Sequence, residues 1–195
     1  MVVAVEAERD AIRSAGVESP VLVAGVGPAA AAAATAAALG DGFALVLSAG
    51  IGGGFAPLRP GDVAVASAAV FADLGAETAD GFAPVSALGF GDERYEVPPA
   101  LAVELADRCG GHLGSVLTVA TVTGSAARAQ GLLARYPDAV AEGMEGAGVA
   151  AAARVHGLPF AEVRAISNLV GPRDRDAWEI PRALAMLGRA VASVL

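Results

Sequence analysis

The sequence predicts an α/β fold: a three-layer α/β/α sandwich around a central, mostly parallel sheet, built by a single domain over residues 1–195. Three observations carry this. Short apolar runs alternate with longer alanine-rich stretches, the pattern of strands feeding crossover helices. Gly and Pro fall between those runs, as at Gly25-Val26-Gly27-Pro28 and Gly157-Leu158-Pro159, where they punctuate elements. A chain of 195 residues with 55% apolar side chains can bury one sizeable core, and it contains no linker long enough to divide it.

In chain order, Met1–Val5 is a short apolar strand and Glu6–Ser14 a helix with an acidic first turn. Pro20–Ala24 is a second strand. Gly25–Ala30 turns into an alanine helix that ends near Gly40. Phe43–Leu47 is a third strand, and Ser48–Gly54 reads as a glycine-rich loop after it. Val63–Ser67, extendable to Ala72, is a strand opened by Gly61-Asp62. Asp73–Val97 reads as loop, rich in Gly, Asp and Glu. Pro98–Arg108 is helical with proline in its first turn, and Leu113–Val122 is a strand. Ser125 caps a helix over Ala126–Arg135, which Pro137 closes. Val140-Ala141 end a short apolar run. Glu142-Gly143-Met144-Glu145 and an alanine-rich helix to His156 follow. Phe160–Ile166 is a strand with Ser167-Asn168 at its C-terminal end. A loop, Leu169–Ala177, leads to a terminal helix, Trp178–Leu195.

Thirteen basic against twenty-one acidic residues give a net charge of −8. Nucleic acid and anionic membrane both select basic patches, so neither is expected as a partner. The mean hydropathy of +0.57 raises the question of a membrane span. The most span-like stretch, Val21–Leu39, is interrupted by Gly25, Gly27 and Pro28 just after a strand-like start, so it reads as strand plus helix. No basic segment precedes the first strand, so no signal peptide is expected and the expected location is the cytoplasm. Cys109 is the only cysteine. It leaves no disulfide framework and no cysteine-based metal cluster, and it reads as a small hydrophobe. His112 and His156 have neither helical partner spacing nor an adjacent Cys. No metal and no cofactor is expected.

In open α/β sheets, ligands bind beyond the carboxyl ends of strands. Glu145 at the mouth of a helix and Asn168 at the tip of a strand are therefore placed to line one crevice. The helix N-terminus favours Glu145 in its ionised form. A lone Glu in the run Met144-Glu145-Gly146-Ala147-Gly148 is costly unless it is used. Glu8 and Glu142 also follow strands, where a carboxylate can hold ribose hydroxyls or orient a water as general base. Taken singly, both read like Glu6, as solvated residues at a helix start. The glycines of Ser48–Gly54 let backbone amides approach a ligand. Gly25–Ala30 matches G-x-G-x-x-A between strand and helix, the dinucleotide fingerprint. That fingerprint needs an acidic residue about 20 positions on, at the next strand's tip. Here that strand ends at Ser48 and Asp41 precedes it, so tight helix–strand packing is the preferred reading. No G-x-S-x-G is present, which removes the hydrolase elbow.

Glu8 after the first strand, Ser48-Ala49-Gly50 with its further glycines, Gly61-Asp62-Val63, Met144-Glu145-Gly146-Ala147 and Arg164-Ala165-Ile166-Ser167-Asn168 occur in a telling order. Nearly end to end, it resembles the nucleoside phosphorylase/nucleosidase superfamily. The resemblance is closest to the methylthioadenosine/S-adenosylhomocysteine nucleosidase branch. The tail Ile166–Arg175, followed by Trp178, is similar to the futalosine hydrolases within it. The resemblance implies a homodimer or higher homo-oligomer and cleavage of a purine nucleoside's N-glycosidic bond. For the futalosine hydrolases it implies release of hypoxanthine from futalosine, in menaquinone biosynthesis.

By position it implies that Glu8 activates the attacking water, with Ser48, its neighbours Ala49 and Gly50, and Arg164 close by. Met144 and Glu145 hold the ribose, Glu145 by its 2′- and 3′-hydroxyls. Val122 and Thr123 fall where the purine packs, Val122 replacing a stacking aromatic ring. Trp178 falls where an aromatic residue reaches the 5′ substituent, in relatives from the neighbouring subunit; the alternative is a packing residue at a helix start. Adenine-specific relatives carry Asp at the position of Asn168, as general acid to N7. Asn protonates nothing. Its carbonyl accepts from N7–H and its NH2 donates to a 6-oxo group, which suits hypoxanthine or guanine. Phosphorolytic relatives place an Arg in the first glycine loop, but Gly25–Ala34 has no Arg or Lys, and Glu8 repels phosphate. Water is favoured, and Arg9 and Arg164 keep phosphorolysis open. Three readings stand: a purine nucleoside N-ribosyl hydrolase acting on futalosine, a 6-oxopurine nucleoside phosphorylase, and a nucleoside-binding protein without catalysis.

Overall fold

The computed structural model describes residues 1–195. Strands β1 (Val2–Val3), β2 (Leu22–Val23), β3 (Val46–Gly54), β4 (Val63–Phe71), β7 (Arg94–Glu96), β8 (His112–Thr118), β9 (Ala139–Gly143) and β10 (Phe160–Leu169) form one eight-stranded sheet; β5 (Gly75–Thr78) and β6 (Gly81–Pro84) form a separate hairpin. Helices α1 (Glu6–Ser14), α2 (Pro28–Ala38), α3 (Pro99–Cys109), α4 (Ala126–Arg135), α5 (Gly146–Val155) and α6 (Ile180–Val194) alternate with the strands, and one 3-10 turn, Arg175–Ala177, precedes α6. The α/β class follows the sequence pattern. Ser125 caps α4 as the sequence requires, its hydroxyl accepting from Arg128 N at 3.2 Å.

The sheet departs from the open, mostly parallel expectation. Pairings β1–β2, β1–β3, β3–β10, β4–β8 and β8–β9 are parallel, but β3–β9, β4–β10 and β4–β7 are antiparallel. Because β10 pairs with both β3 and β4, the path β3–β9–β8–β4–β10 closes on itself. The cause lies in Ser48–Gly54, which is the C-terminal part of a strand and not a loop. A Cβ on Gly52 would stand 2.7 Å from the carbonyl oxygen of Glu142, so only glycine lets β9 cross β3 there. Glycines in a strand commonly mark such close backbone approaches and bends. Closure leaves fewer unpaired edges than an open sheet has.

Asp73–Val97 is likewise not simple loop. It holds the β5–β6 hairpin, turned at Ala79-Asp80 with Gly81 at φ 110°, and β7 on the edge of β4. Small residues bring the helices close. Gly188 of α6 meets the carbonyl oxygen of Ala11 on α1, where a Cβ would lie at 2.6 Å, and Gly148 of α5 meets the carbonyl of Pro28 on α2. This is how a chain with only 5% aromatic residues still fills its interior. No helix is long and apolar enough to cross a membrane.

Candidate active site

A cavity of about 440 Å3 opens where the ends of β1, β9 and β10 meet the glycine-rich half of β3. Glu8, Val122, Thr123, Met144, Glu145, Asn168 and Trp178 all line it. The crevice expected between Glu145 and Asn168 is therefore formed. Val26, from the Gly25–Gly27 turn, also reaches the wall.

Glu8 lies in the first turn of α1 and is 3% exposed, so it is no solvated helix-start residue. Its Oε2 accepts from Ala4 N (2.9 Å) and Val5 N (3.2 Å), and its Oε1 from Ile51 N (2.9 Å). An ionised carboxylate has about four acceptor sites. Three are filled, and a place remains on Oε1. A Cβ on Gly50 would stand 2.7 Å from that oxygen and 2.5 Å from Arg164 Nη1, so glycine at this position makes room for both groups.

Behind the wall lies a buried ionic network. In the β3–β10 register Glu162 faces Ser48 and Arg164 faces Gly50, and side-chain alternation puts all four on one face. Arg164, 1% exposed, donates to Glu162 Oε1 (2.9 Å), Glu145 Oε2 (3.2 Å) and Ser48 Oγ (3.1 Å). Burial pulls the Arg164 pKa down, but Glu162, Glu145 and Glu8 outweigh it, and the guanidinium is held firmly charged. Burial pushes the Glu162 carboxyl up, against the pull of Arg164, and its Oε2 has no partner. Glu145 is fixed from three sides, accepting also from Gly27 N (3.2 Å) and Met144 N (3.3 Å). The G-x-G-x-x-A turn thus does more than pack: it presents Gly27 N–H to the carboxylate.

On the other wall, Glu142 is buried, and accepts from Thr123 N (2.9 Å) and Thr123 Oγ1 (2.5 Å). Burial raises its pKa, with the two Thr123 bonds pulling the other way. The expectation of a solvated Glu142 is corrected: it sits inside β9, opposite Gly53 of β3. Asn168 follows a register shift in β10 after Ile166, which lets both Ser167 and Asn168 line the cavity. Asn168 Oδ1 accepts from Ser167 Oγ (2.7 Å), and Nδ2 donates to the Leu169 carbonyl (2.9 Å). That carbonyl can only accept, which fixes the orientation of the amide. One N–H and one lone pair of Asn168 remain unengaged.

Several sequence-derived assignments shift. Ser48, Gly50 and Arg164 lie behind the wall and hold the residues that form it, while Ala49 points into the apolar core on the opposite face of β3. Trp178 needs no neighbouring subunit to reach a cavity, since it lines the one in its own chain. Arg9 pairs with Asp10 and Glu6 and lines nothing. Sequence reading missed Glu162, Arg173 and the pairing of Glu142 with Thr123. Glu162 had a signal: two charges at i and i+2 in an otherwise apolar strand must share one buried face.

With this geometry in place, the family model described as the phosphorylase superfamily matches residues 12–195. The chain is 56% identical to the futalosine hydrolase of Streptomyces coelicolor, over 89% of this chain and 77% of that protein. It is 46% identical to the futalosine hydrolase of Acidothermus cellulolyticus, over 78% of this chain and 64% of that protein. Its fold is similar to that of the 5′-methylthioadenosine/S-adenosylhomocysteine nucleosidase of Neisseria meningitidis in complex with methylthio-immucillin-A. The TM-score is 0.83 at 20% identity, covering 99% of this chain and 96% of that one.

Proposed function

The chain belongs to the phosphorylase superfamily, and from that premise we propose that it hydrolyses the N-glycosidic bond of futalosine and releases hypoxanthine. Glu8 activates the water with its remaining Oε1 site. Glu145, held by Gly27, Met144 and Arg164, grips the ribose 2′- and 3′-hydroxyls, with Met144 beside it. The base lies against Val122 and Thr123, and Asn168 reads its edge. Developing charge on the departing base is met by fixed hydrogen bonds. The protein acts as a homodimer or higher homo-oligomer; light scattering at micromolar concentration checks this, and a fully active monomer overturns it.

The observation that carries hydrolysis over phosphorolysis is the engagement of the cations. A phosphate site needs cationic donors converging on it. Arg164 is buried behind the wall and bonded to Glu162, Glu145 and Ser48, Arg9 is tied to Asp10, and the one cation on the wall, Arg173, is exposed and stands alone, too few for a phosphate site. Glu8, Glu142 and Glu145 line the space instead. Base release independent of phosphate is the expected result.

Specificity for a 6-oxopurine rests on Asn168, whose free N–H suits O6 and whose free lone pair accepts from N7–H once the departing base has taken a proton from solvent, balancing the proton that Glu8 removes from the attacking water. Against adenine the N–H meets an amino group, donor against donor. A buried unpaired donor costs about 1–3 kcal/mol, or roughly 10–100-fold in rate. The expected result is a kcat/KM for futalosine that exceeds that for its 6-amino analogue by about this factor. Asn168→Asp is expected to narrow the ratio. Equal values in the wild type, or an unchanged ratio in the variant, would remove Asn168 from base reading.

A further inference from the structure

We infer that Glu142 is a second base-reading residue, whose carboxylate accepts from the N1–H of a 6-oxopurine and turns away a purine with a bare N1; this rests on the nucleoside reading above. Glu142 is 6% exposed, lines the cavity and takes part in none of the chain's salt bridges. A buried carboxylate without a cation is costly unless its acceptor sites are filled. Thr123 fills two of about four, one on each oxygen, through its N–H and its hydroxyl. These bonds favour the ionised form against the burial that raises the pKa. No other donor of the chain reaches the remaining sites.

The same bonds change what this wall offers a base. The N–H and hydroxyl of Thr123 are the donors that a bare N1 would need, and both are spent on Glu142. An acceptor stands in their place. The sheet register sets which part of the base meets it. Glu142 on β9 and Asn168 on β10 are the partners of Gly53 on its two sides. Two strand spacings put their backbones about 10 Å apart. Gly53 leaves the space between them open: a Cβ there would stand 3.5 Å from Asn168 Nδ2. A planar base bridges that gap. With Asn168 on N7 and the 6-position, the next ring atom is N1, on the Glu142 side. In hypoxanthine N1 carries a hydrogen and meets an acceptor. In adenine a lone pair meets a carboxylate, acceptor against acceptor.

Trp178 is the only tryptophan and lines the cavity, so its fluorescence reads the binding of free hypoxanthine and free adenine without turnover. Wild type is expected to prefer hypoxanthine. Glu142→Gln should cut that preference roughly tenfold or more, because the glutamine carbonyl must face Thr123 N–H and its NH2 then donates toward N1. Thr123→Val leaves the carboxylate and its backbone bond in place and should keep the preference. Equal affinities in the wild type, equal losses for both bases in Glu142→Gln, or a preference lost as fully in Thr123→Val, overturn the inference. Hypoxanthine release from futalosine by the wild type, with the base preference unchanged in Glu142→Gln, overturns it and leaves the hydrolase reading standing. A preference that falls in Glu142→Gln alone, without release from futalosine by the wild type, upholds the base reading and overturns the hydrolase reading.

Discussion

Glu8→Gln is expected to lower kcat for hypoxanthine release by about 10²–10⁴-fold, the range for loss of a positioned general base, and to move KM far less. The geometry explains the split. Glu8 meets the cavity only through the one acceptor site left on Oε1, since its other sites are taken by Ala4, Val5 and Ile51 N–H groups. Glutamine keeps the shape and loses the basicity. It also turns an NH2 toward at least one of those N–H groups, which costs about 1–3 kcal/mol of stability. A domain stable by about 5–15 kcal/mol tolerates that, so the fall in kcat reports chemistry and not unfolding. Hypoxanthine release under saturating futalosine, alongside urea unfolding of both proteins, makes the comparison. A kcat within threefold of wild type would remove Glu8 from water activation.

The order of elements was legible because alternating apolar and alanine-rich runs leave few other ways to bury their faces. The closure of the sheet was not, because it depends on which backbone crosses which. Ser48–Gly54 shows the difficulty. Four glycines suggest a loop by composition, yet each stands where another group comes too near for a Cβ: Glu8 and Arg164 at Gly50, Glu142 at Gly52, Val170 at Gly53 and Ile166 at Gly54. The need for glycine was visible in the sequence; its cause was tertiary. The site shows the same division. Glu145 stood out because a lone Glu in an apolar run demands a partner, and the partners are Arg164, Gly27 N–H and Met144 N–H. Glu142 did not stand out, because its partner Thr123 and the strands on either side of it are distant in sequence. Ser48 and Arg164 were grouped with the residues of the cavity wall but lie one layer behind it, a distinction that depends on which face of each strand meets the cavity.

Arg164→Met is expected to destabilise the fold by about 3–5 kcal/mol at pH 8, the usual cost of stranding a buried charge partner. Methionine replaces most of the volume but none of the donors. Glu162, fully buried, loses its only hydrogen-bond donor, and Glu145 keeps two backbone donors but loses its cation. The pH dependence has a definite sign. Burial already holds the Glu162 pKa above its ordinary value of 4.5, and Arg164 opposes that rise. Without Arg164 it climbs further. Stability linked to a raised carboxyl is present below the unfolded pKa and lost as pH rises through the folded one. The deficit of Arg164→Met should therefore be small near pH 4.5 and grow toward pH 8. Adding Glu162→Gln should recover part of the loss, a coupling that independent sites would not show. Urea unfolding of the wild type and of each single and double variant at pH 5 and pH 8 reads all of this. A deficit under about 1 kcal/mol at pH 8, or one that does not shrink on acidification, would show that the Glu162–Arg164–Glu145 chain is not what holds Glu145 in place.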